Sequence, residues 1–503
     1  MLFNSHLFLF VFLPATLALW YALVVRADFR VALGALVSCS LFFYGWWNPV
    51  HVPLLLASIG GNLLVGRLLS TYRSRALLAL GIVGNLALIG WYKYAGFLAG
   101  SLDALAGTSH ALHAIVLPLG ISFFTFQQIA WLVDIRRGDG GRCSLLHYAQ
   151  FVTFFPQLIA GPIVHHHEMM PQFTRAGVLS RVGENLSVGL TILVIGLFKK
   201  VVLADSVAVY ATPVFDASEA GIGVTPHEAW IGALAYTLQL YFDFSGYSDM
   251  AIGLARLFGI VLPVNFVSPY QATSIIDFWR RWHVTLSRFL RDYLYIPLGG
   301  NRHGETRRHV NVFVTMLLGG LWHGAGWTFV AWGALHGFYL VVNQAWRRWR
   351  GAPPASAGLR LPARALTLLA VVVAWVVFRS ESGGGALRML GAMAGLGGVP
   401  VPDLLARMPF VDALPVIRSG AMFPNRLVAP GEAAMWIVAL GAAALLLPNT
   451  QELLARFRPV LEPVVPARIA WRPSLPWAIA SGVVALYTVL QLTRVSEFLY
   501  FRF

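Results

Sequence analysis

Apolar runs separated by short polar segments extend along most of this chain of 503 residues. A run of about 20 apolar residues can cross the hydrocarbon core of a bilayer as a helix. The pattern predicts an all-α polytopic membrane protein, with residues 1–503 forming a single integral domain. The main apolar runs cover residues 7–25, 31–47, 51–70, 76–100, 114–133, 186–204, 229–262, 310–322, 327–345, 364–378, 433–447 and 474–492.

Composition and charge agree with a membrane protein. Hydrophobic residues make up 57% of the chain and charged residues 12%, whereas soluble domains carry about 25% charged residues. The net charge of +15 arises mostly in short loops, and the first, third and fifth loops are basic. The fifth contains Arg136, Arg137 and Arg142. Basic loops face the cytoplasm, so we expect the N-terminus outside, and this topology explains the charge without any nucleic acid as a partner.

Two segments do not fit a regular span. Residues 147–164 are apolar but are interrupted by Pro156 and by Gly161 followed by Pro162. A re-entrant hairpin that neighbouring protein buries is the better interpretation, because irregular backbone cannot face lipid. Residues 383–432 are rich in glycine and proline, and we expect this segment to lie outside the cytoplasm.

The most conspicuous polar residue is His323, which lies in an apolar run with glycines on both sides. From Val310 to Trp322 a helix would climb about 20 Å, so His323 would lie inside the membrane core of about 30 Å. An imidazole there is costly unless it has partners or a task. As a general base it could activate a hydroxyl for acyl transfer. On its own, a buried histidine would suit a proton-coupled transporter equally well.

An acyl-transfer site would also need donors for an oxyanion. The backbone N–H groups of residues 324–326, or an indole N–H of Trp322 or Trp327, are candidates because they lie next to His323. The second apolar run carries His336, which we interpret as a packing or cavity histidine.

A basic amphipathic element covers residues 274–293. Ser274 can cap its N-terminus, and large apolar residues alternate with arginines, so we expect a helix at the cytoplasmic interface. This helix either anchors the chain on anionic lipid or uses some of its arginines to bind a phosphorylated acyl donor, since guanidinium matches phosphate geometry. The element also contains His283. Its candidate donor-binding arginines are Arg280, Arg281 and Arg288.

Two further polar clusters leave alternatives open. The two aspartates and two serines of residues 241–249 either join helices or line the active cavity. Residues 165–167 are three adjacent histidines, which invite a metal. Neighbours in sequence point in different directions on a regular element, so we favour an interfacial loop and expect no metal.

Six motifs in one order resemble membrane-bound O-acyltransferases of the bacterial alginate O-acetyltransferase group. They lie within a core of about residues 117–340. The motifs are Leu117–Phe126, Phe154–Ile163, Tyr241–Asp249, Phe278–His283, Tyr295–Asn301 and Leu321–Gly324.

The resemblance implies a ring of about 11 transmembrane helices with re-entrant and interfacial helices around a central cavity. It implies His323 as the essential catalytic histidine and His283 as the second, and it adds Trp279, Trp282 and Asn301 to the candidate donor site. The implied function is O-acetylation of an exopolysaccharide such as alginate, across the bacterial inner membrane. Acetyl-CoA would serve as donor on the cytoplasmic side, and the polysaccharide or periplasmic acetyltransferase partners would receive the group outside. The alternative is D-alanyl or other acyl transfer from a carrier protein.

Overall fold

The computed structural model describes residues 1–108, 115–139, 143–351, 357–402, 406, 408, 417–492, 498 and 499. Several sequence predictions therefore fall wholly or partly outside the described residues. These are Arg142 in the fifth loop, most of the linker at 351–359, about a quarter of the segment 383–432, and all but two residues of the aromatic tail at 496–503.

The regular secondary structure of the described chain is almost entirely helical, as the apolar pattern predicts. One exception is a pair of three-residue parallel strands, β1 (Val399–Val401) and β2 (Ile417–Ser419). The helices are α1 (Leu13–Arg26), α2 (Phe29–Gly45), α3 (Val52–Tyr72), α4 (Arg75–Ile89), α5 (Ala95–Ala106), α6 (Ile121–Arg137), α7 (Leu145–Thr153), α8 (Phe155–Leu158), α9 (His166–Met169), α10 (Arg175–Leu179), α11 (Val182–Phe198), α12 (Asp205–Glu219), α13 (Pro226–Leu257), α14 (Ile275–Trp279), α15 (Val284–Leu290), α16 (Gly304–His323), α17 (Trp327–Arg350), α18 (Ala357–Arg379), α19 (Gly383–Met393), α20 (Pro430–Leu446), α21 (Thr450–Leu454) and α22 (Leu475–Leu490).

Several of these helices continue through wider or tighter turns. Wider π-helical turns occur at Phe8–Phe12, Gly90–Tyr94, Lys199–Ala204 and Arg291–Tyr295, and tighter 3-10 turns at Pro49–His51, Met170–Gln172, Pro269–Gln271 and Ala455–Phe457. Within the described ranges, five continuous helices are long and apolar enough to cross a membrane, or six if one bent pair forms a single span. The protein is therefore a multi-pass membrane protein, and the count of about 11 spans stays a prediction.

The interrupted segment after α6 forms two short helices, α7 and α8, which have nine and four residues. Both are too short to cross a bilayer. Every residue from Gln150 to His165 is buried. Burial by protein is what the sequence analysis expects of this segment, while its re-entrant course remains a prediction.

The two aspartates of residues 241–249 join helices. In the long helix α13, Asp249 accepts a charged hydrogen bond from Lys199 at 2.6 Å, and Asp243 pairs with Lys200 at 2.8 Å. Lys200 also pairs with Asp205 at the start of α12. These contacts tie α11, α12 and α13 together through charges that are almost fully buried. Of the two interpretations, the structure favours helix–helix contact.

Removing one member of such a pair should destabilise the fold strongly. Asp249→Leu leaves the Lys199 ammonium, only 12% exposed, without its carboxylate, and we expect a loss of about 3–5 kcal/mol in the free energy of unfolding. Titration with SDS in mixed micelles measures this loss. The control is Asp292→Leu, whose partner Arg291 is 61% exposed, and it should change the free energy by at most about 1 kcal/mol. Equal effects in the two variants would contradict this account.

The single amphipathic helix predicted over 274–293 is wrong. Ser274 does cap α14, accepting from the N–H of Asp277 at 3.1 Å, but α14 ends at Trp279. The chain then turns through His283, which has a left-handed φ of 44°, before α15 begins. The break has a long-range cause, because the backbone of residues 265–267 bonds to the turn: Val267 N–H donates to Arg281 O at 2.9 Å and Val284 N–H to Asn265 O at 3.0 Å.

Helices α16 and α17 pack antiparallel through glycines, and this packing fixes the position of His323. A Cβ atom on Gly320 would lie 2.3 Å from the carbonyl oxygen of Phe329 and 2.8 Å from Cα of Gly333. A Cβ on Gly324 would lie 2.1 Å from the ring of Phe329. Only glycine allows the two helices to approach this closely next to His323.

Candidate active site

His323 is the last residue of α16 and is 4% exposed. Its ring packs edge-on against Trp332 at 5.0 Å and Phe378 at 5.5 Å between centroids. It also borders a cavity of about 240 Å³. The remaining wall comes from the start of α6 with the residues before it, from Trp47 after α2, from Lys93 before α5 and from two residues after α8. The cavity is lined by Trp47, Lys93, Val116, Leu117, Pro118, Leu119, Gly120, Ile121, Ser122, Phe123, Ile159, Ala160, Trp322 and His323.

The last carbonyls of α16 are held by two residues from the π-helical turn Gly90–Tyr94. Lys93 Nζ donates to the carbonyl oxygens of Trp322 at 2.7 Å and His323 at 2.9 Å. The Tyr94 hydroxyl donates to Leu321 O at 2.7 Å. The final carbonyls of a helix lack intrahelical partners. Lys93 and Tyr94 supply the missing donors and thereby fix the backbone that carries His323.

The second predicted histidine, His283, is fully buried and lies next to the first. The two ring centroids are 6.5 Å apart. Asn265 Oδ1 lies 3.0 Å from His283 Nδ1 and also accepts from the backbone N–H of Thr285 at 3.4 Å. Because that backbone group can only donate, the shared atom is an oxygen. His283 therefore donates from Nδ1 and has its acceptor nitrogen at Nε2.

The residues proposed for the oxyanion differ in their surroundings. Trp327 is 66% exposed and packs against Phe97 at 5.4 Å, so its indole points away from the cavity. Trp322 lines the cavity and is buried. Helix α17 begins directly after Gly326. Trp322 and the backbone of residues 324–326 therefore remain the candidates from the sequence analysis.

A second, basic cavity of about 700 Å³ lies at the opposite end of α16. Arg280 projects here as an exposed residue without a carboxylate partner in the described part of the chain. Arg308 is hydrogen-bonded to Gln344 at 3.1 Å, and Arg347 donates to Ser274 at 2.9 Å. The lining residues are Ile276, Arg280, Arg291, Tyr295, Ile296, Asn301, Glu305, Arg308, Gln344, Arg347 and Arg348.

Of the six residues predicted for the donor site, the structure brings only Arg280 and Asn301 together in this cavity. Arg281 pairs with Asp277 at 2.9 Å, and Arg288 makes two hydrogen bonds to Glu168 at 2.6 and 2.9 Å. Both guanidinium groups are therefore engaged by carboxylates of the protein itself.

The two predicted tryptophans of that set lie in an aromatic cluster that also contains Trp332, His336 and Trp375. Trp279 Nε1 donates to His336 Nδ1 at 3.2 Å, and Trp282 packs against Trp375 at 4.9 Å. His336 is fully buried in the same cluster. These contacts favour the packing interpretation of His336.

One cluster brings together side chains that could hold a metal. Ligand atoms of Asp134, His165 and His167 lie within 4.8 Å of one another, and the rings of the two histidines stack at 5.4 Å. The expectation that these histidines point apart is thus wrong for this pair, because His165 is extended and precedes the short helix α9. The hydroxyl of Tyr293 lies between the groups, donating to both Asp134 oxygens at 2.8 Å and lying 3.0 Å from His165 Nδ1. Absence of a metal remains a prediction.

Burial shifts the pKa values of two groups in and beside this cluster, Tyr293 and His166. Burial raises the pKa of the Tyr293 hydroxyl, and the neighbouring Asp134 carboxylate raises it further. Tyr293 therefore stays protonated and donates to Asp134. Burial also lowers the pKa of His166 to about 4, so His166 is neutral where it lies 3.4 Å from the thiol of Cys143.

Comparison with known proteins identifies the family of this chain. The model of the membrane-bound O-acyltransferase family matches residues 104–376, more than half of the chain. The chain belongs to this family. It is therefore an O-acyltransferase that uses an acyl donor, which rules out the hypothesis of a non-enzymatic transporter.

Two of three named relatives cover most of the length of the acyltransferase. A peptidoglycan O-acetyltransferase of Helicobacter pylori is 42% identical over 438 residues, covering 80% of this chain and 82% of the relative. A probable alginate O-acetylase of Azotobacter vinelandii is 43% identical over 416 residues, covering 80% of each. A teichoic acid D-alanyltransferase of Bacillus subtilis is 26% identical over 254 residues, covering 48% of this chain and 62% of the relative.

Proposed function

We propose that this acyltransferase moves an acetyl group from a thioester on the cytoplasmic side to a hydroxyl on the outer side of the bacterial inner membrane. The observation that carries the proposal is the position of His323, buried at the end of α16 and on the wall of a cavity. Arg308 at the basic cavity and His323 are 15 residues apart on one helix, about 22 Å. One helix thus connects the basic cavity with a candidate base.

In the proposed reaction His323 acts as the general base. Its imidazole takes the proton of the acceptor hydroxyl while the oxygen attacks the acyl carbonyl carbon. The tetrahedral intermediate then collapses, the carbon–sulfur bond breaks, and the thiolate receives the proton from the imidazolium. His283 assists as the neighbouring imidazole, with its ring orientation set by Asn265.

The donor that fits the basic cavity best is acetyl-CoA. Its phosphates would meet Arg280, Arg308 and Arg347, with Asn301 as a further polar contact, since guanidinium groups match phosphate oxygens in geometry and charge. Arg281 and Arg288 are less suited to this role because carboxylates of the protein already engage them. No metal is required for this chemistry.

A pair of arginine variants tests the donor site. Arg280→Ala should raise the KM for acetyl-CoA about 10- to 150-fold with little change in kcat, because it removes one charged hydrogen bond of about 1.5–3 kcal/mol. Arg281→Ala is the matched control and should leave the KM unchanged, since Asp277 holds that side chain. If Arg280→Lys and Arg280→Ala both leave the KM unchanged, this arginine only contacts lipid headgroups.

The proposed acceptor is a cell-envelope polysaccharide, with an exopolysaccharide such as alginate as the first candidate. The named activities of the relatives that cover 80% of the chain, on alginate and peptidoglycan, support O-acetylation. D-alanyl transfer from a carrier protein is the second candidate, and it is supported only by relatives that match less than half of this chain. The basic loops support an N-terminus in the periplasm, where polymer or partner acetyltransferases would take up the acetyl group.

Mass spectrometry of the envelope polymers tests this function. Cells that lack the protein should lose an O-acetyl ester from one polysaccharide, and the wild-type gene should restore it. Unchanged acetylation of all polymers, or loss of D-alanyl esters instead, would contradict the acetyl-transfer proposal.

A further inference from the structure

Lys93 is a half-buried cation on the wall of the His323 cavity, with no role in the reaction as written above. It lies in the π-helical turn Gly90–Tyr94, near the middle of a mostly apolar helix that is long enough to span the membrane. A charged residue at such a depth is costly and usually serves a function. Its partners in the described chain are two carbonyl oxygens, those of Trp322 and His323, and no carboxylate.

The hydrogen bonds of the Lys93 ammonium leave one of its N–H groups for the cavity. An ammonium group carries three N–H donors. Two of them go to the carbonyls at the end of α16, at 2.7 and 2.9 Å. Lys93 lines the same cavity of about 240 Å³ as His323. The third N–H is therefore available to a group that enters this cavity beside the imidazole.

We propose that Lys93 is a further catalytic residue, which donates this hydrogen bond to the oxyanion of the acyl group during transfer. This rests on the function proposed above, with His323 as the base. When the hydroxyl oxygen attacks, the carbonyl oxygen gains negative charge, and a cation held in place beforehand stabilises that charge without reorganising. Lys93 gives up no proton: the hydroxyl proton goes to His323 and from there to the departing thiolate.

The hydrogen bonds to the end of α16 also hold the Lys93 ammonium in position. Lys93 is bonded to the backbone of His323 itself, so its ammonium is tied to the residue that carries the imidazole. Tyr94 supports the same helix end through Leu321 O at 2.7 Å but does not line the cavity. Tyr94→Phe therefore removes one supporting bond at this helix end and leaves the cavity unchanged, which makes it a matched control.

The test uses inside-out membrane vesicles from cells that produce the protein, supplied with acetyl-CoA labelled in the acetyl group. The readout is alkali-labile label in the polymer fraction, measured as maximal rate and as KM for acetyl-CoA. Lys93→Met should lower the maximal rate about 100- to 1,000-fold, as expected for loss of one oxyanion donor, with the KM unchanged. Tyr94→Phe should keep most of the rate. Methylammonium added to Lys93→Ala vesicles should restore part of the rate in a saturable way.

Two outcomes would overturn the assignment. One is that Lys93→Met keeps a rate near that of the wild type. The other is that Lys93→Met and Tyr94→Phe lose equal rates and methylammonium does not restore transfer by Lys93→Ala, which assigns Lys93 to holding the helix end alone. The proposed function fails in a different way, through wild-type vesicles that transfer no label or His323→Ala vesicles that retain transfer.

Discussion

Replacing His323 by alanine should abolish acyl transfer while the protein remains folded in the membrane. The imidazole is the proposed base, and loss of general-base catalysis costs about 100- to 10,000-fold in rate. The substitution removes a side chain at the border of a cavity, so neighbouring helices keep their glycine contacts at Gly320 and Gly333. Transfer of labelled acetyl in membrane vesicles measures the rate, and chromatography in detergent checks the fold.

A neighbouring histidine provides the control. His336 is buried in the same aromatic cluster and accepts from Trp279, but it is not among the residues that line the cavity beside His323. His336→Gln keeps an acceptor for the indole and should retain most of the activity. If His336→Gln and His323→Ala lose activity equally, the cluster as a whole matters and His323 has no special role.

The second large effect should come from His283 and the residue that orients it. We expect His283→Ala to lower kcat about 100-fold or more, within the range of a lost acid–base group. Asn265→Ala should cause a large part of this loss without touching the imidazole itself. The substitution removes Asn265 Oδ1, which lies 3.0 Å from His283 Nδ1. Without this hydrogen bond, neither the tautomer of His283 nor the direction of its Nε2 is fixed.

A double-mutant cycle separates this role from simple loss of packing. If Asn265 acts through His283, the double variant should be no slower than His283→Ala alone, because residues that act as one unit are not additive. Fully additive losses in kcat would show that Asn265 matters for another reason, such as its contacts with Thr285. Thermal stability in detergent should be compared for all three variants.

The apolar pattern was sufficient to predict the class of fold. Runs of about 20 apolar residues have few stable structures other than helices in a bilayer, and the cap at Ser274 follows from local chemistry. The break at His283 could not be predicted in the same way. It depends on backbone bonds from residues 265–267, and the pattern of Trp282, Leu286 and Phe289 by itself fits one continuous helix.

The candidate site was predictable in part for a similar reason. His323 and His283 stand out as polar groups in apolar or aromatic surroundings. The pairing of Arg288 with Glu168 spans 120 residues in sequence, so no local pattern shows that this arginine is engaged. Lys93 did carry a signal, since it is a charged residue inside an apolar run. The proposed role of Lys93 could not be predicted, because it depends on the contact with α16, more than 200 residues later in the chain.

Acetyl transfer with His323 as the general base is the central claim, and one measurement tests it most directly. Inside-out vesicles that contain equal amounts of the wild-type protein or of His323→Ala receive acetyl-CoA labelled in the acetyl group. The account predicts alkali-labile label in the lumenal polymer for the wild type and none above background for the variant. Equal labelling by the two proteins would contradict the account.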